Sequence, residues 1–90
     1  MYVVISYDIR DDKRRTKVHK TLKDYGTWVQ FSIFECSISK TNFLILKNKL
    51  DKLIDSEKDS IRFYFLCAEC QNKVERVGGV MPIDEETLIL

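Results

Sequence analysis

The segment Tyr2-Val3-Val4-Ile5-Ser6-Tyr7-Asp8-Ile9 decides the fold of this chain. β-Branched and aromatic residues fill nearly every position, and such side chains pack well on a pleated, buried surface. Only Ser6 and Asp8 break the run, and both fall on the same alternate face. A strand this apolar belongs in the middle of a sheet, here with a carboxylate at its exit. Asp11 and Asp12 then offer helix N-caps. Val18, Leu22 and Tyr25 recur at helical spacing as far as Gly26, the expected C′ residue.

Working outward, Trp28 to Ile38 reads as a second strand, with a phase shift near Phe34-Glu35 that suggests a bulge. Ser39 or Thr41 caps a second helix with the clearest periodicity in the chain: Phe43, Leu46, Leu50, Leu53 and Ile54. Ser60 to Cys67 alternates as a third strand, Lys73 to Val77 reads as a short fourth, and Gly78-Gly79 turns the chain. The expected class is α+β, in the ferredoxin-like βαββαβ order: a four-stranded antiparallel sheet with two helices on one face. Residues 1–79 would form that core domain and residues 80–90 a tail. The other sheet face has no element left to cover it, yet carries residues as apolar as Val4, Tyr64 and Leu66. An uncovered apolar face predicts self-association. The tail ends in Leu88-Ile89-Leu90, which can add as a strand to a second subunit. A homodimer is expected.

The 90 residues hold 15 Lys+Arg against 14 Asp+Glu, a net charge of +1, with 44% apolar residues. That composition excludes a disordered chain. No apolar run approaches the ~20 residues that cross a bilayer, and no signal peptide is evident, so no membrane and a cytoplasmic location are expected. Cys67 and Cys70 have C-x-x-C spacing, but only Cys36 and His19 remain to complete a zinc site. They read as reduced, small core or strand-end residues. The near-neutral total also excludes a globally basic surface, so any functional charge must be local. Between Arg10 and Lys23 seven basic residues face two acids, with His19 among them, and Lys13, Lys17 and Lys20 share one helix face. Cations crowding a helix N-terminus oppose its dipole. A solvated face accounts for them, and so does a phosphate ligand.

Asp8 is the residue this pattern singles out. A carboxylate closing an apolar strand is costly unless solvated, hydrogen-bonded or bound to a cation. A turn cap before Arg10-Asp11-Asp12 and a metal ligand both satisfy that requirement. One carboxylate is a poor Mg²⁺ site. A two-fold axis near Asp8 would supply the second, and the two like charges would then need a cation between them.

Together, the strand Tyr2–Ile9, the basic helix after it, the segment Val29-Gln-Phe-Ser-Ile-Phe-Glu-Cys36, the run Asp59-Ser-Ile-Arg-Phe-Tyr64 and the Gly78-Gly79 turn resemble the CRISPR-associated Cas-two family over essentially the whole chain. The resemblance implies a prokaryotic ferredoxin-like homodimer of spacer acquisition that partners the Cas-one integrase and binds the duplex DNA of the incoming spacer. It also implies a Mg²⁺-dependent endonuclease acting on single-stranded RNA or duplex DNA. Asp8 would be the catalytic carboxylate, one Mg²⁺ per dimer being bridged by Asp8 of both subunits, with Tyr7 beside it. Arg14, Arg15 and Lys17 would hold the nucleic-acid backbone, and Phe34 would be the binding aromatic of the second-strand Ser-x-Phe motif. One departure stands out: where some members carry a basic residue before the second-strand Gln, this chain has Trp28-Val29. A non-catalytic DNA-binding scaffold and a related endoribonuclease toxin are the alternatives.

Overall fold

The computed structural model describes residues 1–78. Its elements are β1 (Tyr2–Asp8), α1 (Asp12–Lys23), β2 (Thr27–Gln30), β3 (Ile33–Ser37), α2 (Lys40–Leu53), β4 (Ser60–Leu66) and a single helical turn, α3 (Ala68–Gln71). The four strands form one antiparallel sheet in the order β2-β3-β1-β4. The βαββαβ order is therefore realised, with β1 paired on both sides as its apolar sequence demands. The tail of residues 80–90 and its proposed crossing strand lie outside the described residues.

Two element assignments change. Residues 28–38 are two strands of a hairpin: Gln30 faces Ile33 directly, which leaves Phe31 and Ser32 as the turn. The irregularity sits on β2 between Trp28 and Gln30, rather than at Phe34-Glu35, where the ladder is regular. Lys73 to Val77 forms no strand; the chain leaves β4 through α3 instead. The strand count of four survives because the hairpin supplies the strand that 73–77 does not.

Alternation along β1 sorts its side chains. Val3, Ile5 and Tyr7 are buried beneath the helices, whereas Tyr2, Val4, Ser6 and Asp8 point to the open face. Val18 and Leu22 of α1 and Phe43, Leu46 and Leu50 of α2 close the core over Phe34 and Cys36 of β3. Phe43 meets Phe63 and Phe65 edge-on, with ring centroids 5.2 Å apart in each case. Both helices start on side-chain caps: Asp11 accepts the Arg14 N–H and Ser39 accepts the Asn42 N–H. Gly26 serves space and not helix termination by positive φ; a Cβ there would stand 2.2 Å from Cys36 Sγ and 2.7 Å from the Glu35 carbonyl oxygen. On the open face Tyr64 is 48% exposed, while Val4 and Leu66 are half-buried.

Candidate metal and nucleic-acid site

Asp8 is the last residue of β1, exposed, and opposite Ser60 at the start of β4. Ile9 then dives into the core, so the chain turns sharply from the open face into α1. Asp8, Arg10, Asp11, Arg14, Lys58 and Asp59 line one cleft at this end of the sheet. Three carboxylates and three cations thus converge where the sequence placed only Asp8 and its basic neighbours.

The carboxylates are not equivalent. Asp59 is buried, its side chain 1% exposed, and it takes a forked contact from Arg14, Nε at 2.7 Å and Nη2 at 3.3 Å. It also accepts the Asp55 N–H at 2.9 Å. The Arg14 guanidinium, and after it the Asp55 amide, hold the Asp59 carboxyl below its ordinary range. Asp11 caps α1, and the Arg14 amide depresses its carboxyl in turn. Asp8 forms none of the ion pairs or side-chain hydrogen bonds seen among the described residues. Among those residues no group of three His, Cys, Asp or Glu is arranged to hold a metal ion. The cleft of one protomer therefore offers a single uncommitted carboxylate, one donor group toward the octahedral shell of a Mg²⁺ ion.

The basic residues divide in the same way. Arg14 is committed to Asp59, with Asp11 a further 3.8 Å contact. Arg15 donates to the carbonyls of Ile9 and Arg10 at 3.2 and 3.1 Å and pairs with Asp12, so it fastens the β1–α1 connection directly behind Asp8. Lys17, with Lys13 and Lys20, is exposed on α1 and lies outside the cleft lining.

Tyr7 and Phe34, both expected at the functional surface, are core residues. Adjacent positions of a strand point to opposite faces, so Tyr7 is buried on the helix side and turned away from Asp8. Its hydroxyl shares a 3.0 Å hydrogen bond with His19 Nδ1. Burial raises the Tyr7 phenol, and burial followed by Lys23 depresses the His19 imidazole. Phe34 is fully buried, so direct base stacking by this residue is closed off. Its ring meets His19 edge-on at 5.1 Å, and Trp28 also meets that imidazole edge-on, at 5.4 Å. On the β2–β3 hairpin the exposed aromatics are Trp28, at 42%, and Phe31 at its tip, at 91%. Trp28 Nε1 donates to the Phe31 carbonyl at 2.8 Å, which holds the pair together. In sequence Phe31 reads as part of one continuous strand, which hides its place at the tip between β2 and β3. The signal missed at Asp59 was its place one residue before the strand segment that pairs with β1.

A family model described as CRISPR associated protein Cas2 matches residues 1–74. The chain belongs to the Cas2 family. A Synechocystis sp. relative named CRISPR-associated endoribonuclease Cas2 3 is 47% identical over 80 residues, covering 89% of this chain and 86% of that protein. The crystal structure of Streptococcus pyogenes Cas2 at pH 6.5 superposes with a TM-score of 0.78 at 41% identity, over 87% of this chain and all of that one. A chain in a structure described as a partial Cas6-RT-Cas1–Cas2 complex superposes with a TM-score of 0.75 at 31% identity, over 93% of this chain and 97% of that one. No helix among the described residues is long and apolar enough to cross a membrane.

Proposed function

We propose that this Cas2-family protein is a homodimeric, Mg²⁺-dependent endonuclease of spacer acquisition, holding nucleic acid on the basic face of α1 and cleaving it at Asp8. The observation that carries the reading is the contrast among the cleft carboxylates: Asp59 and Asp11 are engaged, and Asp8 stands free at the strand exit. Asp8 of two copies, brought together across a two-fold axis, would provide the paired carboxylates that a single chain lacks. The paired Asp8 carboxylates would hold a Mg²⁺ ion, whose chemistry there would be to polarise a phosphodiester and activate a water.

The chain's own residues do the rest. Arg15 fixes the backbone of residues 9 and 10 and so sets the direction in which Asp8 projects. Arg14 and Asp59 tie the start of α1 to the start of β4 beside it. Lys17, Lys13 and Lys20 offer exposed ammonium groups for backbone phosphates, which bind without reading sequence. Single-stranded RNA and duplex DNA both present that backbone. The endoribonuclease name of the Synechocystis relative supports hydrolysis. The complex containing Cas1 supports the Cas-one integrase as partner.

A second reading, a DNA-binding scaffold, is favoured by one observation: the free lysines of α1 lie outside the cleft that holds Asp8. Binding and cleavage are therefore separable. Asp8→Asn should abolish Mg²⁺-dependent cleavage of both substrates while leaving dimer mass and duplex affinity intact. Undiminished cleavage would refute the catalytic assignment. Undiminished spacer integration by a cleavage-dead variant would assign the biological role to the scaffold.

A further inference from the structure

Three cysteines sit in two contrasting environments. Cys36 is fully buried in β3, and burial pushes its thiol up to about 11. Cys67 and Cys70 are both exposed, at the point where the chain leaves β4. Cys67 stands at the strand end, as its sequence suggested, and also caps the single turn Ala68–Gln71 that carries Cys70. Its Sγ accepts the Cys70 N–H at 3.4 Å, which holds the Cys67 sulfur against the residue that carries the second thiol.

We propose that Cys67 and Cys70 are a reversible dithiol–disulfide pair, oxidised by a small-molecule disulfide such as oxidised glutathione. The Cys70 amide and thiol both favour the charged form of Cys67, while Cys70 itself is shifted up, so Cys67 is the attacking sulfur. The Cys67 thiolate attacks one glutathione sulfur, the glutathione S–S bond breaks, and one glutathione thiolate leaves. Cys70 then loses its proton to solvent and attacks the Cys67 sulfur of the mixed disulfide, releasing the second glutathione thiolate. The protein gives up two electrons and two protons, and one oxidised glutathione becomes two thiols. The resulting ring fixes the turn from which residues 72–78 depart. Those residues return toward the open face, where Arg76 Nη2 reaches Glu35 Oε1 at 3.5 Å. The sheet face proposed to meet a second copy thus lies next to a redox-adjustable bend.

The test is alkylation and intact-mass analysis of the full, natively folded chain before and after incubation with excess oxidised glutathione. Two thiols per chain should react in the reduced protein and none after oxidation, with a mass lower by two hydrogens and a Cys67–Cys70 crosslink in the peptide map. A reducing agent should restore both. Cys70→Ser should instead trap one glutathione on Cys67. Stable glutathione adducts on both wild-type cysteines, a chain-to-chain disulfide, or two thiols still reactive after oxidation would each overturn the proposal.

Discussion

Arg14 and Lys17 lie three residues apart on one helix, yet they should behave oppositely when their charge is removed. Arg14 spends its guanidinium on Asp59, whose side chain is 1% exposed, whereas the Lys17 ammonium is in solvent. Each lysine or arginine that neutralises a duplex phosphate contributes about 0.9 to the slope of log affinity against log salt. Over the fourfold interval from about 50 to 200 mM, one such contact corresponds to roughly a 3.5-fold change in affinity. Lys17→Gln should therefore lower the slope by about 0.9 for each copy that touches the duplex, with the melting temperature unchanged. Arg14→Gln should leave the slope nearly unaltered and lower the melting temperature, because a buried carboxylate is left with only the Asp55 amide. Fluorescence anisotropy on a labelled duplex at several salt concentrations, with thermal denaturation in parallel, measures both quantities. An Arg14→Gln slope loss equal to that of Lys17→Gln would refute the argument that pairing, and not position, decides which cations meet nucleic acid.

The remaining expectations concern stability. Phe34→Ala should destabilise by about 3–5 kcal/mol in urea denaturation, and nucleic-acid affinity should fall only in proportion to unfolding; a folded variant with selectively lost affinity would restore Phe34 to the binding surface. Gly26→Ala should cost about 1–3 kcal/mol through overpacking against Cys36 and Glu35. Cys36→Ala should rescue it only in part, since the Glu35 carbonyl oxygen remains 2.7 Å from the new Cβ. His19 is depressed in the folded state, so the unfolded chain binds more protons and stability should fall as pH drops from about 6.5 through the lower folded pKa. Asp59 is depressed from its carboxylate range, so its contribution holds above about 4 and disappears as pH falls below that. A pH series of denaturation midpoints should show both windows in the wild type, and His19→Gln should remove only the upper one.

The central strand and both helices were legible because their signals are local: a nearly unbroken β-branched run, capping residues at positions 11 and 39, and 3.6-residue spacing in α2. The hairpin at Phe31-Ser32 was not, for a physical reason. Tight two-residue hairpins ordinarily demand positive φ and advertise themselves with Gly or Asn. No non-glycine residue takes positive φ among the described residues, so this turn needs neither. The bulge between Trp28 and Gln30 adds local twist, and the Trp28–Phe31 hydrogen bond closes the tip. None of these features is a residue type that marks a turn by itself. The false strand at 73–77 has the opposite origin, since Lys73, Val74 and Val77 suit a strand only if a neighbour is there to pair with them.

At the site, legibility ended where sequence distance began. Asp8 was visible because a carboxylate is anomalous in its own strand. Tyr7 was misplaced although the rule that excludes it is also local: neighbours in a strand cannot share a face, so a residue beside Asp8 in sequence is behind it in space. Arg14 is a harder case, because what commits it lies 45 residues away on the approach to β4. A basic run counts charges without knowing which are already neutralised, and the fold resolves that count. Arg14 and Arg15 build the platform, whereas the lysines of α1 and Asp8 stay unpaired among the described residues, as the proposed phosphate and cation roles require. The +5 segment is therefore two systems in one helix, one that shapes the strand exit and one that faces solvent. That division predicts that cleavage chemistry and backbone binding can be lost separately by mutation, even though a single stretch of sequence encodes both.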